Sequence, residues 1–246
     1  MSQEINKDNL PKHIAVIMDG NGRWAKGKGA ARIFGHKNAI KAVRDVTEGC
    51  AELGIQYLTL YAFSTENWAR PKIEVDALMN LLVATINDEI STLIDNNVSL
   101  NSIGDITKLP EKARRRLEEA KEKTSKNTGL KLNLALNYSG RWDLTQAMKN
   151  IAKKVASGEL SEGVVNEECI SSHLSTFGIP DPELLIRTSG EMRISNFLLW
   201  ELAYSELYFP EVLWPDFRKE HLIEAIASYQ KRERRFGKIS EQLNVE

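Results

Sequence analysis

The first apolar run of the chain ends directly in a glycine-rich polar turn, and this junction constrains the fold more than any other feature. Five apolar residues at 14–18 are followed without a break by Asp-Gly-Asn-Gly-Arg at 19–23. A continuous apolar run closed by a turn signal predicts a strand buried on both faces. Parallel strands of that kind bind ligands beyond their carboxyl ends. We therefore expect a binding site at Asp19.

The turn carries groups suited to a metal ion and phosphate. Gly20 and Gly22 let backbone N–H groups approach an anion closely. Arg23 offers a forked donor, and Asp19 supplies a carboxylate. The same residues also fit an ordinary strand-to-helix turn with an Asx cap, so this pattern alone leaves both interpretations open.

Composition limits the class of protein and its compartment. A chain of 246 residues fits one large α/β domain better than two small ones. The formal net charge of -1 gives no global bias toward nucleic acid, so we expect no nucleic-acid partner. Cys50 and Cys169 are far apart on apolar helical positions, which predicts buried free thiols in a reducing cytosol. With no apolar leader, we expect a cytoplasmic protein with a flexible lead-in at 1–12 and one catalytic domain at 13–246.

Polar clusters follow at least four predicted strands. They lie at residues 19–23, 64–70, 137–141 and 187–195. Because strands alternate with helices, we predict an α/β fold of one domain, with a mostly parallel central sheet flanked by helices. In such a sheet the clusters share one edge. Arginines would then outnumber carboxylates there, which favours a substrate with two phosphate-rich groups over surface salt bridges. These arginines are Arg23, Arg32, Arg70, Arg187 and Arg193.

His36 and a long apolar helix each allow two interpretations. His36 lies near the glycine turn and fits either a structural or a substrate-binding role. The predicted helix at 73–96 is apolar on more than one face, which fits a core helix or the wall of an apolar cavity. A shorter helix is predicted at 167–177. No phosphate loop of the GxxxxGK[ST] type is present, which argues against a nucleoside-triphosphate enzyme of that kind.

Long segments of the chain resemble the cis-prenyltransferase family. They are HIAVIMDGNGRWAK (13–26), RIFGHKNA (32–39), LTLYAFSTENWARP (58–71), LNLALNYSGRWD (132–143) and LLIRTSGEMRISNFLLWELAYSELYFPEVLWPDF (184–217). The resemblance implies a transferase that adds isopentenyl diphosphate successively to farnesyl diphosphate with cis double bonds. Its product would be undecaprenyl diphosphate, the precursor of a lipid carrier for cell-wall synthesis. It also implies Mg²⁺, a homodimer, and transient contact with the inner membrane face during product release.

The same resemblance assigns roles to individual residues. Asp19 would be the catalytic magnesium ligand, completed by Glu206, and Asn67 would lie where the C2 proton of isopentenyl diphosphate departs. The tail Arg235-Phe236-Gly237 would reach an active site across a dimer interface. The expected substrate-binding set is Gly20, Asn21, Gly22, Arg23, Trp24, Arg32, His36, Ser64, Trp68, Arg70, Arg187, Arg193 and Ser195.

The resemblance favours the cavity interpretation of the long helix. Residues 75–94 would line a tunnel for the growing chain, and Leu130 would close the tunnel and set product length. Two alternatives remain: a non-catalytic subunit of a heteromeric enzyme, and a synthase of different chain length. A non-catalytic subunit should have lost the aspartate-glycine turn or the pair Arg187 and Arg193, and this sequence retains both.

Overall fold

Six parallel strands form one sheet in the computed structural model, which describes residues 5–237, 239 and 242. The sheet order is β3-β4-β2-β1-β5-β6, and every neighbouring pair is parallel. The strands are β1 (His13–Ile17), β2 (Tyr57–Ser64), β3 (Ser99–Ile103), β4 (Lys131–Tyr138), β5 (Leu184–Arg187) and β6 (Glu206–Tyr208).

The described part of the chain contains seven α-helices, and all but the last lie between strands. They are α1 (Asn21–Gly27), α2 (Arg32–Leu53), α3 (Lys72–Asp95), α4 (Glu111–Thr124), α5 (Gly140–Ala156), α6 (Glu167–Ser171) and α7 (Lys219–Gln230). The end of α2 follows from its sequence, since Gly54 takes the left-handed conformation at φ 82° that closes a helix. The predicted α/β fold with a parallel sheet and flanking helices is confirmed.

Strand β1 is the topological switch point of the sheet. The chain leaves β1 for β2 on one side, and later crosses β1 to place β5 on the other. Connections that diverge in this way leave a crevice beyond the carboxyl end of the central strand. Asp19 lies two residues past β1, between the ends of β2 and β5.

Both faces of β1 are buried, as its apolar run predicts. Ile14 and Val16 belong to the larger core, which packs under α2, α3, α4 and α7. Ala15 and Ile17 face a smaller core that contains Phe197. The central strand therefore presents its carboxyl end to the site and little of its surface to solvent.

Two expectations about local structure are wrong. The helix predicted at 167–177 ends at Ser171. Beyond it, Ser172 donates to the Cys169 carbonyl and Ser175 donates to the Asp143 carboxylate. Such side chains compete with the helical backbone. Cys50 is buried as expected, whereas Cys169 is partly exposed.

The lead-in is docked over the part that the structure describes. Residues 7–9 form a 3-10 turn, and the Gln230 amide donates to the carbonyls of Asn6 and Asn9 at 2.6 and 2.8 Å. These long-range contacts to α7 have no local sequence signal. The flexible lead-in stays a prediction, because these contacts do not measure mobility, and residues 1–4 lie outside the described residues.

Candidate active site

The Asp19 carboxylate is fixed on both of its oxygens. Oδ1 accepts from the Gly20 N–H at 2.6 Å, and Oδ2 accepts from Nη2 of Arg187 at 2.8 Å. Burial alone would raise the pKa of Asp19, but the Arg187 and Gly20 hydrogen bonds and the nearby Arg23 charge outweigh it. The pKa of this carboxyl therefore lies below its usual 3.8, and Asp19 is an anion at neutral pH.

Arg187 is a buried guanidinium that ties β5 to the loop after it. While Nη2 binds Asp19, Nη1 donates to Ser195 Oγ at 2.7 Å and to the carbonyl of Arg193. Its Nε has no hydrogen-bond partner among the described residues, although only 4% of Arg187 is exposed. A buried donor without an acceptor is costly, so this position suits an anion.

The loop after β5 is held in an unusual backbone conformation. Four of its non-glycine residues have positive φ, a region that side chains rarely adopt. Such strain persists where surrounding contacts enforce it, and it concentrates at binding sites. These residues are Ser189 (78°), Ser195 (47°), Asn196 (60°) and Leu198 (44°).

Glu191 bridges two of the predicted anion-binding arginines. Its carboxylate oxygens lie 3.1 Å from Nη1 of Arg23 and 2.5 Å from Nη1 of Arg193. Arg23 also donates to the carbonyl and hydroxyl of Ser189. Both arginine side chains are about half exposed, so a phosphate-bearing ligand can compete with this internal carboxylate for them.

His36 lies at the start of α2 between two other arginines. Burial, Arg70 and Arg32 lower its pKa to about 4, against a smaller opposing effect of Glu74. His36 is therefore neutral at physiological pH. Glu74 holds Arg70 at 3.0 Å and Arg32 at 4.0 Å, which links the first turn of α3 to the first turn of α2.

The end of β2 forms a third wall of the site. A shift in register between β2 and β4 at residues 61–64 turns the chain toward the crevice. The Ser64 N–H donates to Asn67 Oδ1 at 3.1 Å, in a reciprocal cap that fixes both residues. Because Oδ1 is engaged, Asn67 keeps its NH₂ group as the donor available to a ligand.

One cavity of about 1400 Å³ extends from this polar site into the protein. Its volume exceeds the roughly 300–1000 Å³ typical of small-molecule pockets. Apolar side chains from α2, α3, β3 and β4 line the interior, and the walls near Asp19 are polar. The lining includes Asp19, Gly20, Asn21, Gly22, Arg23, Arg32, His36, Ser64, Asn67, Arg70, Arg187 and Ser195, and the apolar residues Leu78, Leu82, Ile86, Leu93, Val98, Leu100, Leu132 and Leu134.

This cavity gives the long helix a structural role. By length and composition α3 could cross a membrane, but a helix packed in a soluble protein passes the same test. Here α3 packs on α4 and α2, and it lines one side of the cavity. The apolar residues on several faces of α3 therefore both pack on neighbouring helices and line the cavity.

Sequence comparison places the chain among prenyltransferases. A family profile described as "Putative undecaprenyl diphosphate synthase" matches residues 17–237. The chain belongs to this family. An isoprenyl transferase of Chlorobaculum tepidum is 54% identical over 236 residues, covering 96% of this chain and 89% of that protein. A ditrans,polycis-undecaprenyl-diphosphate synthase of Vibrio vulnificus, named as specific for (2E,6E)-farnesyl diphosphate, is 50% identical over 244 residues and covers 99% and 97%.

Solved structures of the family share the fold. Lavandulyl diphosphate synthase of Lavandula x intermedia, in complex with dimethylallyl diphosphate, superposes with a TM-score of 0.91 at 36% identity, covering 93% of this chain and 99% of that one. A probable undecaprenyl diphosphate synthase of Campylobacter jejuni gives a TM-score of 0.77 at 36% identity, with coverages of 94% and 100%. The architecture of this chain is therefore that of the prenyltransferase family.

Three of the predicted substrate-binding side chains do not line the cavity. The Trp24 indole donates to Asp216 at 2.8 Å and stacks on Phe34. The Trp68 indole donates to Asn137 at 2.7 Å. Arg193 is turned toward Glu191. These residues border the site and support its walls in the described structure.

Glu206 lies far from Asp19 within the same chain. It is the first residue of β6 and is in register with Leu184, which pairs with Ile14 at the start of β1. Asp19 lies five residues farther along, about 16 Å in the strand direction. Glu206 instead pairs with Arg232 at 2.7 Å. Within one chain Glu206 therefore does not reach the expected magnesium site at Asp19, and its role there stays a prediction that requires a second chain.

Leu130 and the tail were also expected at the site. Leu130 is buried but does not line the cavity, and its carbonyl accepts from the Ser99 N–H beside two wall residues, Val98 and Leu100. The tail Arg235-Phe236-Gly237 lies at the amino end of the sheet, where Arg234 pairs with Glu183 just before β5. It therefore cannot approach Asp19 of its own chain.

Sequence reasoning missed several residues that organise the site. Thr188 brackets the Asp19 backbone, and its hydroxyl donates to the Asp19 carbonyl at 2.6 Å. Asn196 lines the cavity and donates to Glu66 at 2.7 Å. Glu74 had a detectable signal, because it lies in the first turn of a predicted helix, four residues after Arg70. The Glu191 bridge joins residues from separate segments and had none.

Proposed function

We propose that this chain condenses isopentenyl diphosphate successively onto farnesyl diphosphate with cis geometry to give undecaprenyl diphosphate. The supporting observation is a single cavity with a cationic, hydrogen-bonding end and a long apolar interior. A diphosphate head and an isoprenoid chain have these two properties in the same order. Each added isoprene unit gains about 0.8 kcal/mol per buried CH₂ in such an interior.

The polar end supplies the electrostatics that the reaction needs. Breaking the allylic C1–O bond leaves negative charge on the departing diphosphate, and the C4 atom of isopentenyl diphosphate then bonds to C1. Arg23, Arg32 and the N–H groups of the glycine turn would hold the allylic diphosphate. Arg187 and Ser195, with Arg193 released from Glu191, would hold isopentenyl diphosphate.

The donor set also fits Mg²⁺ as the cofactor. Magnesium binds through one or two carboxylates and completes its shell with substrate phosphates and water. Asp19 supplies an anionic carboxylate beside the glycine turn, and the described residues contain no cluster of three or more acidic, His or Cys ligands. When bound, the ion would neutralise charge on the departing diphosphate.

The last step removes the C2 proton of the added isoprene unit. Ser64 and Asn67, fixed at and just after the end of β2, would lie near this atom, but neither is a base at neutral pH. We assign the acceptor role to a diphosphate oxygen. Asn67 would then orient the diphosphate and the reacting carbon through its free NH₂ group.

We also propose that the protein acts as a homodimer in the cytoplasm. Glu206 and the tail Arg235-Phe236-Gly237 lie at the opposite end of the sheet from Asp19. A role for either at an active site would therefore require a second chain. Transient contact with a membrane surface would deliver the lipid product.

Incubation of the purified protein with farnesyl diphosphate, labelled isopentenyl diphosphate and Mg²⁺, followed by chain-length analysis, tests the proposal. We expect an undecaprenyl product that disappears in Asp19→Ala and in a metal-chelated sample. A product of different length would keep the chemistry and refute the assigned product. No incorporation by folded wild-type protein would indicate a non-catalytic subunit.

A further inference from the structure

One segment beside the cavity carries charge of a single sign. Residues 20–44 contain seven Lys or Arg and no Asp or Glu, in a chain whose net charge is -1. Of its three arginines, Arg23 and Arg32 are described above, and Arg44 pairs with Glu89. The exposed lysines of this segment are Lys26, Lys28, Lys37 and Lys41.

Apolar side chains are exposed within the same region. Phe34, in the first turn of α2, is 45% exposed and stacks on Trp24 at 5.7 Å between ring centroids. Lys28 lies 5.7 Å from the Trp24 ring. Ile73, in the first turn of α3, is 83% exposed. We call Trp24, Lys28, Phe34, Lys37 and Ile73 the basic aromatic rim.

The first turns of α2 and α3, which carry Phe34 and Ile73 of the rim, meet at the cavity. The 4.0 Å contact between Arg32 and Glu74 brings the first turns of α2 and α3 together, with Phe34 and Ile73 close by in sequence. Lys26, Gly29 and Ala31 are exposed and also line the cavity. The rim therefore borders an opening through which an apolar chain could leave the interior.

The carboxylates near the rim do not cancel its positive charge. Asp216 accepts from the Trp24 indole, and Glu74 is held by Arg70 and Arg32. Asp76 is exposed on α3. Exposed aromatic and aliphatic groups mixed with lysines are the pattern that binds the interface of an anionic bilayer.

We propose that the basic aromatic rim docks on an anionic lipid membrane surface and opens the cavity toward it. The inference rests on the proposed function only for the identity of the lipid that passes through. Phe34 and Ile73 would insert among the acyl chains, and Lys28 and Lys37 would contact anionic headgroups. Docking in this orientation places the opening against the bilayer.

Flotation with vesicles of phosphatidylglycerol and phosphatidylcholine, against phosphatidylcholine alone, tests the proposal with the full-length protein. We expect binding to the anionic vesicles that weakens as salt is raised. Each lost lysine should lower partitioning about fivefold, so K28Q/K37Q should lower it at least tenfold. I73S should lower it several-fold, and its exposure makes a folding defect unexpected.

Matched controls carry the same changes on other surfaces. K123Q/K126Q removes two exposed lysines at the end of α4, and M148S removes an exposed apolar side chain of α5. Both should bind like wild type. Equal losses in rim and control variants, or no vesicle binding, would overturn the proposal. So would a change of oligomeric state confined to the rim variants, which would make the rim a contact between copies. The assay requires no condensation, so vesicle binding without product formation would refute only the proposed function.

Discussion

The carboxylate of Asp19 accepts a 2.8 Å hydrogen bond from Arg187, a residue 168 positions later in the chain. The pairing joins the ends of adjacent strands β1 and β5 at the switch point of the sheet. It orients the one carboxylate proposed to hold Mg²⁺ and keeps it ionised. It also gives one N–H donor of the buried Arg187 guanidinium a hydrogen-bond acceptor.

Replacing Asp19 by Asn should remove activity and reduce stability. The amide keeps the shape but loses the charge, so we expect kcat to fall at least about 10²–10³-fold. Leaving Arg187 without its anionic partner should cost about 1–3 kcal/mol of unfolding free energy. Steady-state kinetics and denaturant unfolding measure both effects. Asp88→Asn, at an exposed position of α3, is the control, and an equal loss there would contradict the assignment.

The same variant has a predicted pH signature. Because the folded-state pKa of Asp19 is lowered, its contribution to stability is complete above the usual value near 4. This stabilising contribution is lost as pH falls toward the folded-state pKa of Asp19. The gap in unfolding free energy between wild type and Asp19→Asn should therefore shrink between pH 5 and pH 3. A constant gap would mean that the pair contributes no titrating charge.

Neutralising Glu191 should strengthen the binding of free diphosphate. The carboxylate bridges Arg23 and Arg193, and exposed ion pairs of this type contribute up to about 1 kcal/mol each. We expect Glu191→Gln to lower the Kd for inorganic pyrophosphate roughly threefold to tenfold in titration calorimetry. Glu211→Gln removes the same charge beside Gly190 and serves as the control. Weaker binding in Glu191→Gln would show that Glu191 orients the arginines for the ligand.

His36 should remain neutral down to about pH 4 in the free protein. Burial and the charges of Arg70 and Arg32 disfavour its protonation. Between pH 6.5 and 4 the unfolded chain binds a proton that the folded chain does not, so this group makes stability rise with pH across that window. NMR titration of the imidazole, assigned with His36→Gln, measures the pKa. Pyrophosphate should raise it, and a free-protein value above 6 would contradict the structure.

Shortening Leu130 should lengthen the product. It lies behind the wall formed near Val98 and Leu100, so Leu130→Ala would let the closed end of the cavity deepen. Leu117→Ala is the matched control, because Leu117 is also buried but lies on α4, outside the contact between Leu130 and Ser99 at the cavity wall. Each should cost about 2–5 kcal/mol of stability. Chain-length analysis should show longer products only for Leu130→Ala, and equal distributions would assign the floor to other residues.

A methyl group at Gly35 should disturb the glycine turn. A Cβ there would lie 2.0 Å from the carbonyl oxygen of Asn21, so α2 and the turn must separate. We expect Gly35→Ala to cost about 1–3 kcal/mol of stability and to raise KM for farnesyl diphosphate. Gly27→Ala has open space around it and should bind substrate normally. Unchanged KM in Gly35→Ala would mean that the turn tolerates the shift.

Most of the site could be predicted from local sequence because its residues follow strands. The apolar run at 14–18 identified β1, and the clusters after β2 and β5 identified Ser64, Asn67 and Arg187. Parallel strands bring such positions to one edge whatever the details of packing. The contacts of Glu191, Thr188 and Asn196 join segments far apart in sequence, so no local pattern predicts them.

The sequence by itself determined the fold class, the edge of the sheet that carries the site and its cationic character. Tertiary structure decided which predicted residues can act together in one chain. Glu206 starts a three-residue edge strand too short for a periodic signal, and its register places it at the end of the sheet opposite Asp19. Leu130 falls behind the cavity wall, and the lead-in docks on α7. Strand order and side-chain packing fix these outcomes, because they depend on contacts between distant segments that local periodicity does not encode.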